Sequence, residues 1–336
     1  MFTVSALTVA FSMLLAAFVE ADDKVYPFVA NQSCPHKAWT ADPFGFHESD
    51  APNAPLRPAG TSPFILRLPD RLYAGQTIFI DGKTAENPIL ISFNLLAGTT
   101  DVSDNNGEVA MHWTQQYTYG LGFVTVKING QWDPNVLQIG LLPANKEFKI
   151  ALRVLEDSFE IFKEGVRFDF FAHKVPIDII DHIEIIGDVE INALRVVGRH
   201  FPFPFRTKFH GTNLMLNDRI RIEGRSCSWF LFSILDAKKE VAFQWFVNIS
   251  AKKTTRNAVV NGTWGQNEKD GPWYFPPEGY IFVLEIVNEE EHLSLMVNGN
   301  AFATFKHRVP NPKEDYVFFE YTDEEFDVLT LEVCSD

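Results

Sequence analysis

The chain has 336 residues and a mass of 38.2 kDa, the size of two domains or of one large one. Hydrophobic residues make up 46% of it and charged residues 22%, which is typical of a folded globular protein and excludes a disordered one. Because 44 acidic residues outnumber 29 basic ones, the net charge of −15 repels phosphate backbones and anionic lipids, so no nucleic-acid partner is expected.

The first 21 residues have the features of a secretory signal peptide. Phe2 to Val19 carries no charged side chain, and Ala21 precedes the acidic pair Asp22-Asp23. We therefore expect residues 1–21 to be cleaved off and a secreted, extracellular protein to start at Asp22, with no membrane insertion after cleavage. The alternative is a short signal anchor, because a run of about 18 apolar residues is near the lower limit for a membrane span.

Secretion exposes the cysteines to an oxidising compartment and the asparagines to glycosylation. The three cysteines allow one disulfide with one thiol left over, or none, and their spacing leaves the pairing open. They are Cys34, Cys227 and Cys334. Three glycosylation sequons predict a glycoprotein, and they begin at Asn31, Asn248 and Asn261. No cysteine or histidine cluster has zinc spacing, so neither a metal nor another cofactor is expected.

Residues 22–61 form a proline-rich N-terminal leader, which the sequence predicts to be a mobile segment or stalk. From Phe64 onward, short runs alternate between apolar and polar residues, as in Phe123-Val-Thr-Val-Lys-Ile, and turn residues separate them. Amphipathic runs of helical period are missing, and 14% of the residues are aromatic. This sequence pattern predicts an all-β chain of antiparallel sandwiches.

Several motifs occur twice in the chain, about 130 residues apart. Asn129-Gly-Gln-Trp132 recurs as Asn261-Gly-Thr-Trp264, and His173-Lys-Val-Pro176 recurs as His307-Arg-Val-Pro310. Two homologous domains, at 62–197 and 206–336, account for the repetition. Residues 198–205 then form a linker stiffened by two prolines.

These motifs resemble the galectins, and among them the tandem-repeat type with two carbohydrate-recognition domains in one chain. The resemblance rests on Ala74-Gly-Gln-Thr-Ile-Phe-Ile-Asp-Gly, Ala110-Met-His-Trp, the two Asn-Gly-x-Trp hairpins and the two Phe-x-His-[Lys/Arg]-Val-Pro motifs. It implies two jelly-roll-like antiparallel β-sandwiches in tandem, without metal. It also implies glycans or glycoproteins as partners, of the galactoside type. Most galectins lack a signal peptide, so the predicted signal peptide departs from the family.

The family's sugar site takes His-x-Asn-x-Arg from one strand, Asn from the next, and Trp-Gly-x-Glu-x-Arg from the following hairpin. Alternate residues of a strand face the same way, so these side chains converge on one sugar, and the Trp covers its apolar face. In the first repeat only His112 and Trp132 match. The other five positions hold Thr114, Gln116, Thr125, Asn135 and Leu137. We therefore expect this site to be lost for ordinary β-galactosides.

The second repeat keeps a different subset of the site. Asn257, Trp264 and Gly265 match the family, and Lys269 stands where Arg is usual. The remaining positions hold Gln244, Phe246, Asn248 and Asn267. The stacking platform is thus kept, whereas most hydrogen-bonding partners are replaced and Phe246 adds apolar surface. We expect weak or altered glycan specificity here, carried by Trp264, Asn257, Lys269 and Gln244.

One residue of this site also heads a sequon. Asn248 takes the position of a sugar-contacting Arg and begins Asn248-Ile-Ser250, so a glycan on it would cover Trp264. Asn261 lies at a hairpin tip, where a glycan costs little. We expect occupancy at Asn261 in either case, and at Asn248 only if the domain no longer binds glycans.

Each candidate residue also has a structural explanation. Trp132 and Trp264 could simply pack across their hairpins, and a single matching histidine such as His112 is more often structural than a ligand. His173 and His307 belong to the scaffold motif. At the level of function, the alternative is a non-lectin adhesion or scaffold protein that binds other proteins. An enzyme is not expected, because a glycosidase needs two carboxylates and the family's carboxylate position holds Asn135 and Asn267.

Overall fold

The structure is a computed structural model that describes residues 37–42, 45–49, 60–68, 71–198, 201, 204–209, 213–226, 228–321 and 326–335. The predicted signal peptide, the sequon at Asn31 and the cysteines Cys34 and Cys227 lie outside these residues. Cys334 takes part in a disulfide. In the described part of the chain, no helix is long and apolar enough to cross a membrane.

The all-β prediction is confirmed. Within the described ranges the helical elements are two 3-10 turns, Tyr117–Tyr119 and Ile177–Ile179. The strands of the leader and first domain are β1 (Lys37–Asp42), β2 (Gly45–Ser49), β3 (Gly60–Thr61), β4 (Phe64–Arg67), β5 (Thr77–Thr84), β6 (Leu90–Ala97), β7 (Glu108–Gln116), β8 (Leu121–Ile128), β9 (Gln131–Trp132), β10 (Leu137–Gln138), β11 (Glu147–Val154), β12 (Ser158–Lys163), β13 (Val166–Ala172), β14 (His182–Gly187) and β15 (Val189–Val197). Those of the second domain are β16 (Phe205–Lys208), β17 (Arg219–Ser226), β18 (Trp229–Leu235), β19 (Val241–Asn248), β20 (Lys253–Asn257), β21 (Val259–Val260), β22 (Thr263–Trp264), β23 (Ile281–Asn288), β24 (His292–Val297), β25 (Asn300–Lys306), β26 (Phe318–Tyr321) and β27 (Phe326–Ser335).

Each domain is a sandwich of two antiparallel sheets, which we call front and back. The front sheet of the first domain runs β10-β8-β7-β6-β14-β4, with β9 attached to β8, and its back sheet runs β13-β12-β11-β5-β15-β3. In the second domain the front sheet is β16-β26-β18-β19-β20, and the back sheet is β2-β1-β27-β17-β23-β24-β25. The strands β21 and β22 form a separate hairpin. The front face is the side of a front sheet that points away from the core.

Two described segments of the leader, residues 37–42 and 45–49, differ from the prediction of a mobile stalk. The strands β1 and β2 form a hairpin, and β1 pairs antiparallel with β27, so that Ala38 lies opposite Cys334. The outer strand of the second domain's back sheet offers unpaired backbone groups, which an extended segment satisfies by adding to the sheet. None of the leader's prolines falls within either strand, which is consistent with the inability of proline to donate a ladder hydrogen bond.

Two-residue turns of one type recur at equivalent places in both domains. Asn129-Gly130 and Asn261-Gly262 join the short hairpins before the two exposed tryptophans, and both residues of each turn have positive φ. Glu164-Gly165 and Asn298-Gly299 repeat this geometry between back-sheet strands. Positive φ at both positions defines the type I′ turn, whose twist matches that of the strands it connects. The repeated local sequence therefore produces repeated local structure.

The four sheets stack in the order front, back, back, front. One hydrophobic core lies between the sheets of the first domain, and it includes Phe93, Trp113 and Phe148. A second, between the sheets of the second domain, includes Trp245. A third, smaller cluster joins the two back sheets and consists of Phe79, Ala151, Phe162, Val197, Ile281, Val283 and Leu329. The front faces therefore lie on opposite sides of the stack.

Ion pairs surround this third cluster. Arg225 Nη1 lies 2.7 Å from Glu160 Oε1, and Arg153 Nη2 lies 3.1 Å from Asp327 Oδ1. A third arginine, Arg195 of the first domain, approaches Glu223 of the second at 3.3 Å. Glu223 is fully buried. Each of these pairs joins a residue of one domain to a residue of the other.

Candidate carbohydrate-binding sites

The strand register shows which residues of the two front faces are equivalent. In each domain one row of directly paired residues crosses four strands. The row of the first domain is Glu184, Asn94, His112 and Thr125. The row of the second domain is Glu320, Ser233, Gln244 and Asn257. Gln244 thus occupies the position of His112, and Asn257 that of Thr125, as the aligned motifs predict.

In the first domain, Glu184, Asn94 and His112 of this row form a hydrogen-bonded chain. Asn94 Nδ2 donates to Glu184 Oε2 at 2.9 Å, and the Nδ1 of His112 lies 2.6 Å from Asn94 Oδ1. Since the amide oxygen of Asn94 can only accept, Nδ1 of His112 carries the proton. Burial, with a smaller contribution from the charge of Lys127, lowers the pKa of His112 to about 4. His112 is therefore a neutral imidazole at physiological pH.

The loop of residues 99–106 covers one end of this row. The backbone N–H of Val102 donates to Glu184 Oε2 at 3.2 Å. From the other side, Lys127 Nζ donates to the carbonyls of Val102 and Asp104 at 2.5 and 2.6 Å. These bonds hold the loop across strands β14 and β8, and they leave Asn94 only 1% exposed. The Asn94 amide, hydrogen-bonded to Glu184 and His112, is therefore not accessible to a sugar.

Trp132 is the exposed aromatic of the first site, at 45% of its full surface. Its ring centroid is 4.8 Å from that of His112, and Lys127 Nζ lies 5.4 Å from the ring.

The other positions of the first site are engaged in contacts within the protein. Thr125 Oγ1 donates to the Asp133 carbonyl at 2.8 Å, and Thr114 Oγ1 accepts from Ser92 Oγ at 2.9 Å. Asn135 donates to Asp133, and Leu137 pairs with Val124 in the sheet. Gln116 is half-buried at the end of β7. These contacts are those of a packed surface.

The second domain presents Trp264 on the β21–β22 hairpin. Trp264 lies opposite Val259, as the two-residue turn predicts, and it is 51% exposed. Asn257 ends β20 beside this hairpin, and its Nδ2 donates to the Gly265 carbonyl at 2.9 Å and to Asn267 Oδ1 at 2.6 Å. The structure thus brings Trp264, Asn257 and Asn267 together. Lys269 is exposed two residues further on.

Strand β19 contributes the other predicted residues of the second site. Phe243, Trp245 and Val247 alternate into the core, so Gln244, Phe246 and Asn248 occupy the front face, where all three are half-buried. Gln244 Nε2 donates to Ser233 Oγ at 3.4 Å. The ring of Phe246 lies 5.8 Å from that of Trp229, and Asn248 Oδ1 accepts from the Ala251 N–H at 2.7 Å. An apolar strip therefore adjoins the polar row.

Arg308 and Glu268 lie beside the second site, and the sequence does not predict them there. Arg308 Nη1 donates to Asn257 Oδ1 at 2.8 Å, and its Nη2 donates to Glu268 Oε1 at 2.6 Å. Arg308 belongs to the His-Arg-Val-Pro motif, whose histidine is structural: His307 bonds the Glu289 carbonyl and the Tyr316 hydroxyl. Its first-domain counterpart His173 bonds the Leu155 carbonyl. The only signal for Arg308 in the sequence was its charge beside a scaffold residue.

Metal binding finds no support in the ranges that the structure covers. No group of three or more His, Cys, Asp or Glu side chains within them is arranged to hold a metal ion. In the loop of residues 99–106, Asp101 and Asp104 instead accept hydrogen bonds from neighbouring residues of the same loop. These bonds are those of a self-contained surface loop.

The chain shares its sequence pattern with known lectins. The family model for the galactoside-binding lectins matches residues 63–196 and 204–326. A 32 kDa beta-galactoside-binding lectin of Caenorhabditis elegans is 25% identical over 73% of this chain and 88% of its own length. Galectin-4 of Sus scrofa is 21% identical over 75% of this chain and 89% of its own. The crystal structure of the C. elegans galectin LEC-6 aligns with 41% of this chain and 92% of its own at 16% identity, with a TM-score of 0.37.

The family model matches each half of the chain separately. Its two segments coincide with the two sandwiches, and each contains one Asn-Gly-x-Trp hairpin and one Phe-x-His-[Lys/Arg]-Val-Pro motif. Since the segments together cover more than half of the sequence, the chain belongs to the galectin family of lectins, as a tandem-repeat member, and not to a family of enzymes.

Proposed function

We propose that this protein is a lectin that binds galactoside-type glycans through its second domain, with weak or altered specificity. The observation that carries the proposal is the half-exposed Trp264 on its hairpin, because an exposed aromatic platform suits the apolar face of a sugar. Glycans or glycoproteins are then its partners.

The altered specificity follows from the side chains of β19. Phe246 stands where the family has an asparagine, and it packs near Trp229 instead of offering a hydrogen bond. Asn248 replaces an arginine and uses its oxygen within its own turn. A galactoside bound here loses charge-assisted hydrogen bonds, each of which is stronger than a neutral one. We therefore expect lactose to bind weakly.

The first domain is proposed to have lost this activity. Two observations support that: the loop of residues 99–106 is hydrogen-bonded to Glu184 and Lys127 across the sheet, and His112 is hydrogen-bonded to Asn94 and packs against Trp132.

A glycan array probed with the mature chain tests the proposal, together with two variants. Trp264→Ala should abolish binding, whereas Trp132→Ala, which removes the equivalent and similarly exposed ring, should leave it nearly unchanged. Equal losses would show that the first site also binds. A chain that binds no glycan, but is retained on a cell-surface protein, would support the alternative of a non-lectin adhesion protein.

The proposal includes secretion. The apolar segment of residues 2–19 and the small residue Ala21 support cleavage before Asp22. N-terminal sequencing of protein from the culture medium tests this, and an intact Met1 or retention in the membrane fraction would favour a signal anchor.

The proposal also includes N-glycosylation at Asn261. This residue is exposed at the tip of a type I′ turn, where an attached glycan projects into solvent. Asn248 is half-buried at the front face beside Trp229, so a glycan there would compete with a bound ligand. Glycopeptide mass spectrometry reads both positions. Full occupancy of Asn248 in protein that still binds glycans through Trp264 would contradict the expectation that glycosylation of Asn248 and ligand binding exclude each other.

A further inference from the structure

The last strand of the second domain carries a disulfide, and the strand register identifies its partner. Cys334 on β27 is disulfide-bonded and only 5% exposed, and the sequence offers two other cysteines, Cys34 and Cys227. Both lie outside the described residues, but the strands beside them, β1 and β17, are described and both pair with β27. The register of these strands therefore limits how far each cysteine can be from Cys334.

Cys227 is too far from Cys334 to be the partner. It follows Ser226, the last residue of β17, and Ser226 pairs with Phe326 at the opposite end of β27 from Cys334. The eight residue steps from Phe326 to Cys334 span about 26 Å of extended strand. One further peptide unit brings Cys227 closer by about 4 Å at most. A disulfide requires Cα atoms within about 7 Å of each other, so the geometry excludes this pair.

Cys34 is within reach of Cys334. It precedes Ala38 by four positions, and Ala38 lies opposite Cys334 in the β1–β27 ladder. Opposed Cα atoms of an antiparallel pair are about 5 Å apart, and four residues of chain extend to about 14 Å at most. The chain between the two residues can therefore bring Cys34 to the distance that a disulfide requires.

The leader connects the back sheets of the two domains. Its hairpin adds to β27 of the second domain, and after β2 the chain enters β3, which pairs with β15 of the first domain. Val333 packs in the core of the second domain, so Cys334 lies on the other face of that sheet, which is turned toward the first domain. A bond from Cys34 to Cys334 thus closes a covalent ring through both domains, and the linker of residues 198–205 is the ring's other connection between them.

We infer that Cys34 and Cys334 form a disulfide that fastens the leader to the second domain and joins the two domains covalently a second time. The inference rests on the proposed secretion, which supplies an oxidising compartment, and not on glycan binding. Cys34 follows the predicted cleavage site, so the mature chain keeps it. The two thiols lose two protons and two electrons as the S–S bond forms, and the electrons reduce the disulfide of a thiol oxidoreductase to two thiols. Cys227 is then the thiol left over.

A cut in the linker tests the ring directly. A protease recognition sequence is inserted between Gly198 and Phe201, and the secreted protein is cut and run on a denaturing gel without reductant. Cys34 belongs to the N-terminal fragment, whereas Cys227 and Cys334 both belong to the C-terminal fragment. We expect the two fragments to migrate together and to separate when reductant is added. Fragments that separate without reductant would show that the inference is wrong.

Two matched variants of the cut protein identify the partner. Cys34→Ser should separate the fragments without reductant, whereas Cys227→Ser should leave them joined. The bond closes a loop of about 300 residues and so constrains the unfolded chain. Reductant should therefore lower the melting temperature of uncut Cys227→Ser by about 5 °C or more and leave that of uncut Cys34→Ser unchanged. Separation of the Cys227→Ser fragments would overturn the assignment.

Peptide mass spectrometry of the uncut wild-type protein identifies the linked pair without any variant, so the test does not depend on the folding of Cys34→Ser. We expect one linked peptide pair, which contains Cys34 and Cys334. A linked pair that contains Cys227, a disulfide between two chains, or three free thiols would contradict the inference. The protein is taken from the culture medium, and its N-terminal sequence tests secretion separately. A chain that binds no glycan would refute the proposed lectin activity and leave the linked peptide as the measure of this inference.

Discussion

At the scale of single residues, His112 shows how a matching family residue is redirected by its surroundings. Its Nδ1 proton is bound by Asn94, and Asn94 is in turn fixed by Glu184. Such a chain is cooperative, because each polar group satisfies the next in a region of low dielectric. The Nδ1 of this imidazole is thereby used in a hydrogen bond within the protein and is not offered to a sugar.

His112 should make stability depend on pH. Its folded-state pKa of about 4 is below the ordinary 6.5, so the unfolded chain binds a proton more readily. The stability that neutral His112 contributes is therefore present above pH 6.5 and is lost as the pH falls toward 4. We expect a loss of about 1–2 kcal/mol between pH 7 and pH 5.

The comparison for this prediction is His112→Gln, which places the second domain's residue at the same position. Urea unfolding at both pH values measures the difference. Wild type should lose more stability than the variant on acidification, and identical pH profiles would contradict the assignment of a buried neutral imidazole.

The sequence predicts part of the site because part of it is local. Strand alternation and the two-residue turn are enough to place Gln244 on the front face and Trp264 opposite Val259. Arg308 could not be predicted in this way, because it meets Asn257 only through tertiary folding across 51 residues. The loop of residues 99–106 is likewise held by contacts with Glu184 and Lys127 that no local pattern encodes.

At the scale of elements, two glycines with positive φ allow the cost of a left-handed backbone to be compared with the added cost of a steric clash. Gly262 has φ +73 in an open turn, with nothing within 4 Å of an added Cβ. Gly187 has φ +104 at the end of β14, and its Cβ would lie 1.9 Å from the Leu90 carbonyl oxygen. The second position therefore adds a backbone clash to the conformational cost.

We expect Gly262→Ala to cost about 1 kcal/mol of folding free energy, because only the left-handed backbone is penalised. Gly187→Ala should cost on the order of 4–5 kcal/mol, since β14 must move away from β6. Denaturant unfolding of the two variants measures both values. Similar losses would show that the pairing of β14 with β6 is less tight than the structure has it.

In the leader, the described strands β1 and β2 depart from the mobile stalk that the sequence predicts. Proline spacing favours an irregular segment, yet residues 37–42 and 45–49 contain no proline and extend the second domain's back sheet. Whether an extended segment pairs depends on a free strand edge elsewhere, here that of β27. That information lies in the tertiary structure and not in the segment itself.

Pairing of the leader should protect the amides of β27 from hydrogen exchange. Changing both Trp39 and Thr40 to proline removes two adjacent backbone donors, which point to opposite neighbours in an antiparallel strand. We expect exchange of the 326–335 peptide to accelerate, while the 281–288 peptide of β23, distant from β1 in the sheet, stays slow. Unchanged exchange in both peptides would mean that β1 does not pair with β27 in solution.

At the scale of the whole molecule, the two domains form one stack. The apolar cluster between the back sheets and the pairs Arg225–Glu160 and Arg153–Asp327 join them directly, and the front faces point away from each other. The repeats in the sequence predict two sandwiches but not the contact between them. Each strand that carries one of these charges pairs with strands of its own domain, and no local pattern shows that its charged side chain meets the other domain. Burial of a carboxylate between two domains becomes visible only in the folded chain.

Glu223 is the most deeply buried of the carboxylates that pair across this contact. Its Oε1 lies 2.7 Å from Arg221 Nη2 and 3.3 Å from Arg195 Nη2, and Thr330 donates to its other oxygen. Burial alone would raise the pKa of Glu223, but the two guanidinium groups outweigh it and lower the pKa to about 2.

Replacing Glu223 by glutamine removes the buried carboxylate that Arg195 and Arg221 share, which we expect to cost about 3 kcal/mol of unfolding free energy at pH 7. Because the folded pKa is depressed, the carboxylate's contribution is complete above pH 4.5 and is lost as the pH falls toward about 2. The difference between wild type and Glu223→Gln should therefore shrink at pH 3. Glu190→Gln, which changes an exposed glutamate on β15, should shift stability by less than about 0.5 kcal/mol. Equal effects of both substitutions in urea unfolding would show that the domain contact does not depend on the buried charge.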